Sequence, residues 1–188
     1  GNGRGFLGVQ GSHGLSNFVT DISKSVIDPQ AGVSVFERQK ANSATNASTS
    51  KSKKEIFEAT TYPLGAMGSG SDYSSFIQHI GVPSLNIGYG GEDAGGEYHS
   101  IYDSYDHYAR FKDAEFKYGV TLAKTSGRAV LRLSEADVLP FDYTSLHKTI
   151  KGYINELMSN VDALREKAQV ENDLIKNNAY KIAADPTT

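Results

Sequence analysis

The chain has 188 residues, a formal net charge of −3 with acids and bases interspersed, and no cysteine. That length suits one ordinary domain, or a domain with an appendage, and is ample for an apolar core. The charge pattern offers no basic face to nucleic acid or an acidic membrane, and without cysteine there is neither disulfide nor thiolate metal site, so the redox compartment stays open.

No run of about 20 apolar residues is present to span a bilayer. The opening "GNGRGF" has no signal-peptide features, and we read both ends, "GNGRG" and "AADPTT", as cuts from something larger. Asn46-Ala47-Ser48 fits the glycosylation acceptor pattern, which matters only in a secretory setting.

In chain order, Leu15, Phe18, Val19, Ile22 and Val26 recur at helical spacing, and Asp28-Pro29 supplies a stop, predicting an amphipathic helix over 13–27. Residues 40–54, "KANSATNASTSKSKK", are polar and basic and read as a flexible surface loop. Ser71 and Asp72 can cap a short helix bearing Tyr73, Phe76, Ile77 and Ile80, which Gly81 ends. "VPSLNIGY", 82–89, alternates as a strand does. A helix, a strand and a glycine-bearing loop make an α/β unit, a fold class that collects function in loops at strand C-termini.

From Asp113 the pattern turns helical. Phe116 to Leu131 suggest one helix, broken at Leu139-Pro140-Phe141; Tyr143 to Leu157 suggest a second and Val161 to Leu174 a weaker third. The expected division is therefore an α/β part over 1–125 and a helical part over 126–188.

Among candidate sites, "GNGRG" and "GSGSDY" lack the complete patterns of phosphate loops, and "GSG" reads better as a place where backbone approaches another group. His99 stands apart. Glycine pairs Gly90-Gly91 and Gly95-Gly96 let its loop bend, and Tyr98, Tyr102, Asp103, Tyr105 and Asp106 surround it with groups that orient an imidazole. A neutral imidazole so placed suits zinc, although it makes one ligand and not a site. The acids Glu92, Asp93 and Glu97 are read as solvated, and His13, His79, His107 and His147 show no partner at metal-ligand spacing.

The blocks "LGAMGSGSDYSSFIQHIGVPSLNIGY" and "EYHSIYDSYDHYARFKDAEFKYGVTLAKTSGRAVLRLSEADVLPFDY" resemble the glutamate carboxypeptidase II and transferrin-receptor-like family of co-catalytic zinc peptidases. The likeness runs from about Phe6 to about Asn178 and corresponds to the later part of a family member. It implies the later half of an aminopeptidase-like mixed sheet flanked by helices, followed by a helical dimerisation domain. His99 falls at a zinc-ligand position and Tyr98 at the position that hydrogen-bonds the scissile carbonyl as charge builds on it. Ser69, Gly70 and Ser71 fall on the wall of the substrate cleft. Two zinc ions are implied per full-length chain, with the remaining ligands and the general base upstream of Gly1, so the fragment alone is expected to be inactive.

The glutamate-specific members hold a substrate carboxylate with two arginines where this chain has Asn86 and Gly88, and have an asparagine where Ser71 stands. Losing that clamp points to neutral or bulkier residues in the substrate-binding position beside Asn86. Carboxypeptidase and aminopeptidase activity both stay open, as do the non-catalytic binding role of the transferrin-receptor branch and a plain helical dimerisation module over 113–178 on a scaffold. The resemblance further implies a peptide substrate, contact with the upstream half, a homodimer, and a type II membrane protein facing the cell exterior or an organelle lumen such as the vacuole, with its anchor outside these residues.

Overall fold

The computed structural model describes residues 3–92 and 95–184. The described residues are mostly helical and carry a two-stranded antiparallel sheet. They divide into a unit that runs up to Ser145 and another from Leu146.

In the first unit, β1 (Leu7–Gly11) pairs with β2 (Leu85–Tyr89), Leu7 opposite Tyr89 and Gln10 opposite Asn86. β1 buries alternate residues Leu7, Val9 and Gly11, as period-two geometry requires of one covered face. β2 confirms the strand expected over 82–89, while β1 went unforeseen because only two large apolar residues mark it. The opening glycines serve neither as a phosphate loop nor as a strand. Gly5 lies so close to the later loop that a Cβ there would sit 2.1 Å from the Gly90 carbonyl oxygen, so only glycine fits. Gly3 donates its amide to the Tyr89 carbonyl at 3.2 Å and Gly90 donates to Phe6 at 3.0 Å, continuing the pairing past the strand ends.

A short 3-10 turn, His13–Leu15, leads into α1 (Ser16–Ser25), matching the helix expected over 13–27. Its stripe of Leu15, Phe18, Val19 and Ile22 packs with Val26, Val35, Phe36, Tyr62, Tyr89 and Tyr118 in the core. Burying each such aliphatic side chain contributes about 1.5–3 kcal/mol, which outweighs the weak helix propensity of Val19 and Ile22.

The stretch 40–54 is not a loop. It lies in α2 (Val35–Asn46) and α3 (Ser50–Glu58), joined at residues 47–49. Ser34 caps α2 with a reciprocal box: its hydroxyl accepts from the Glu37 amide at 3.1 Å, and the Glu37 carboxylate accepts from the Ser34 amide at 3.1 Å. Thr49 caps α3 by accepting from Ser52 at 3.1 Å. The polarity of this segment reflects two helices with little buried face rather than absence of structure.

The short helix expected after "GSG" is a single π-helical stretch, Ser75–Ile80, ending at Gly81. After β2 comes the glycine loop, then α4 (Tyr105–His107), a π-helical turn (Tyr108–Lys112) and α5 (Lys117–Ser134). The expected boundary between residues 125 and 126 falls inside α5. Thr125 and Ala129 are both buried, so the helix belongs to the first core across that point.

α6 (Tyr143–Lys176) is one continuous helix where two were expected. Beyond Gly152 it contains neither glycine nor proline, so the weakening of its apolar stripe after Leu157 does not end the helix. α7 (Ala179–Ala183) follows. In the second unit Leu146, Ile150, Tyr153, Ile154, Leu157 and Leu164 all remain exposed. Among the described residues no helix is long and apolar enough to cross a membrane.

Candidate functional site

The chain reaches the candidate site from β2. Tyr89 ends the strand with its ring buried against Tyr118, centroids 5.6 Å apart, and its hydroxyl 3.0 Å from Thr125 Oγ1. Burial pushes the Tyr89 phenol up to about 12, so this anchor is a neutral hydrogen-bonding group. On the far side of the loop Asp113 is buried and accepts from the amides of Tyr118 and Gly119, each at 2.8 Å, satisfying orphan donors at the start of α5. Rigid core therefore fixes both ends of the segment that carries Tyr98 and His99.

Within that segment residues 97–100 form a tight turn. The Glu97 carbonyl accepts from the Ser100 amide at 2.9 Å and from its hydroxyl at 2.6 Å. Tyr98 and His99 are the central pair, and His99 is left-handed, with φ of 60°. Few non-glycine residues adopt this conformation, and it persists only where surrounding bonds determine it. The two rings stack, centroids 3.8 Å apart, and both side chains are exposed.

The acids nearby are engaged. Glu92 pairs with Arg4 at 3.2 Å and accepts from Gln30 at 3.0 Å. Glu97 pairs with Lys112 at 3.1 Å, and its carboxyl is held below the usual range by hydrogen bonds from its own backbone and from Lys112. Asp93 lies outside the described residues. His107, on α4, has a buried Nε2 with no hydrogen-bond partner among the described residues, and its ring lies 5.2 Å from that of Phe111.

Ser69, Gly70 and Ser71 are exposed ahead of the π-helical stretch. Gly70 has φ of 90°, a conformation that disfavours any side chain although the space beside it is open. Asn86 donates to Gln10 Oε1 at 3.1 Å on the sheet, where Gly8, Gln10, Asn86, Gly88 and Gly90 line a concavity of about 420 Å³. A concavity of about 740 Å³ beside Phe36, Phe57, Lys24 and Lys40 includes none of the expected site residues. No hydrogen bond among the described residues links the Ser69–Ser71 segment to Tyr98 or His99.

As a metal ligand His99 fits singly: its ring nitrogens are committed to no hydrogen bond among the described residues. The described residues contain no group of three or more histidines or acids that could hold a metal.

Sequence reading missed the buried cluster next to the core. Asp28, taken only as a helix stop, accepts from the Gln30 and Ala31 amides at 2.9 Å and pairs with Arg38 at 2.6 Å. The Tyr118 hydroxyl lies 3.2 Å from both Asp28 oxygens and 2.8 Å from Gln30 Oε1, and it accepts from Arg38. These residues are separated by up to 90 positions in sequence, so no local pattern announces them.

No family model matches the chain. It is similar to the probable glutamate carboxypeptidase LAMP1 of Arabidopsis thaliana, 38% identical over 91 residues, which are 48% of this chain and 13% of that protein. It is similar to the aminopeptidase NAALADL1 of Rattus norvegicus, 29% identical over 113 residues, 57% of the chain and 15% of the relative. The probable glutamate carboxypeptidase AMP1 of Arabidopsis thaliana is 30% identical over 144 residues, covering 76% of the chain and 18% of the relative. The chain thus spans less than a fifth of the length of these curated relatives. Their names bear out the resemblance to the glutamate carboxypeptidase II and transferrin-receptor-like family that the motifs carry.

Proposed function

We propose that this chain is part of a zinc-dependent exopeptidase, a carboxypeptidase or aminopeptidase, and that it contributes His99 as one zinc ligand and Tyr98 as a catalytic hydrogen-bond donor. The observation that carries the reading is the exposed Tyr98–His99 turn, with His99 in a left-handed conformation between two firmly anchored ends. The peptidase names of the relatives support the reaction class.

Zinc, when bound, would polarise the scissile carbonyl and supply an activated water. His99 would hold its share of the metal through an imidazole nitrogen. The Tyr98 phenol donates to the carbonyl oxygen, a bond that strengthens as negative charge grows there, so it lowers the barrier rather than merely binding substrate. Ser69, Gly70, Ser71 and Asn86 border the peptide. Asn86 and Gly88 offer no cation to a substrate carboxylate, which favours neutral side chains at that position.

A single ligand cannot build a co-catalytic centre, so the other donors come from the upstream half of the protein and the isolated chain is inactive. In this reading β1 and β2 belong to a wider mixed sheet completed upstream. The exposed apolar stripe of α6 pairs two subunits, as apolar helix faces without a partner commonly do. The protein works outside the cytosol or in a lumen, held by an anchor outside these residues.

The test is zinc-dependent hydrolysis of a peptide by the full-length protein, its Tyr98→Phe variant and the isolated chain. Tyr98→Phe should lower kcat by about 10²–10³-fold with zinc content unchanged, the loss typical of one oxyanion donor. Full turnover by the variant would remove Tyr98 from the mechanism. Turnover by the isolated chain would refute its inactivity. Absence of both zinc and turnover in the full-length protein would point to the non-catalytic, receptor-like role.

A further inference from the structure

We propose that the Glu97–Lys112 ion pair is the strut that sets the Tyr98–His99 turn, making Lys112 a positioning residue for the zinc ligand. The proposal rests on the reading of His99 as that ligand.

Glu97 opens the turn. Its carbonyl takes both the amide and the hydroxyl of Ser100, and the Ser100 hydroxyl in turn accepts from the Tyr102 amide at 3.2 Å. These bonds, with that from the Asp103 amide to the Ser100 carbonyl at 3.1 Å, are local and reach no further than Asp103. The Glu97 side chain reaches further: its Oε1 lies 3.1 Å from Lys112 Nζ, on the last residue of the π-helical turn. The Lys112 side chain is 9% exposed, whereas the exposed pairs Lys51–Glu55 and Arg110–Asp106 have side chains more than 60% exposed. A sheltered ammonium has few positions available and is screened little by salt, so this pair can fix a loop where the exposed pairs contribute almost nothing.

Lys112 is itself fixed, because the next residue is the buried Asp113 that caps α5. The path is continuous: α5, Asp113, Lys112, Glu97, then the turn that holds His99 left-handed. Without the strut, the turn loses the Glu97–Lys112 side-chain link to that anchored segment, and His99 is free to leave an uncommon backbone conformation. Groups hydrogen-bonded directly to a metal ligand change metal affinity by about 10–100-fold when removed, and a strut acting one residue away belongs at the lower end of that range.

The sign of the effect separates positioning from charge. Deleting the Lys112 cation near a dication would, through charge alone, strengthen zinc binding. Loss of positioning weakens it. Lys112→Met is therefore more informative than Glu97→Gln, where both effects weaken binding.

The experiment uses the full-length protein and measures zinc affinity by chelator competition, with hydrogen exchange at the Ser100 amide as a readout independent of metal and activity. Lys112→Met should weaken zinc binding about 10-fold or more and speed Ser100 exchange. Lys112→Arg should behave as the parent, and the exchanged pair Glu97→Lys with Lys112→Glu should recover part of the loss. Native or tighter zinc binding in Lys112→Met, with Ser100 still protected, overturns the strut. His99→Ala measured alongside isolates the underlying reading: if it keeps full zinc, the ligand assignment fails, and the positioning proposal fails with it.

Discussion

Asp28 is 1% exposed and carries a carboxylate into the core, where Arg38, Tyr118 and two backbone amides meet it. Its charge is tolerable only while these partners stay. Arg38→Met keeps most of the side-chain volume but strands the carboxylate, and should cost about 3–5 kcal/mol in urea denaturation. A loss below about 1 kcal/mol would mean that water reaches Asp28. Tyrosine burial has its own consequence. Burial pushes the phenols of Tyr89 and Tyr118 up to about 12, and Tyr62 is raised as well, against an unfolded value of about 10. A group raised on folding binds its proton more tightly in the native state, so its contribution is complete below pH 10 and is lost as pH climbs towards 12 and beyond. Stability should therefore fall steeply above pH 10, with the phenolate absorbance of the three buried tyrosines rising only as the structure is lost. Ionisation of all 11 tyrosines near pH 10 with no loss of structure would contradict it.

Ser34 and Glu37 decide whether α2 starts at Val35. Ser34→Ala removes the hydroxyl that accepts from the Glu37 amide and should destabilise the chain by about 1 kcal/mol, read from the shift in denaturation midpoint. An unchanged midpoint would show that packing of Val35 and Phe36 alone fixes the helix start. This element also shows why part of the fold was hidden in the sequence. α1 was legible because Leu15, Phe18, Val19 and Ile22 repeat on one stripe, and β2 because it alternates between turn residues. α2 and α3 bury too little to show a stripe; their starts are written in caps, Ser34 with Glu37 and Thr49, which hydrophobic periodicity does not register. β1 owes its existence to long-range pairing with β2, for which a five-residue segment holds little local signal. At the site, His99 was legible because glycines and tyrosines crowd around it. The Glu97–Lys112 link was not, since neither residue differs from ordinary surface charge until the fold shelters it.

At the scale of the whole molecule, one anchored core presents an exposed Tyr98–His99 turn, and a separate helical unit carries an apolar stripe without cover. The relatives named as glutamate carboxypeptidases and an aminopeptidase match this chain over less than a fifth of their lengths. The proposed centre is co-catalytic, so its metal content is the most direct reading of the account. That measurement is zinc per chain in the full-length protein purified without chelator, beside the same protein carrying His99→Ala. The account predicts about two zinc ions per chain, falling in the variant together with peptide hydrolysis. No zinc in either protein, or full zinc in both, would contradict it and leave His99 as a residue of the turn alone.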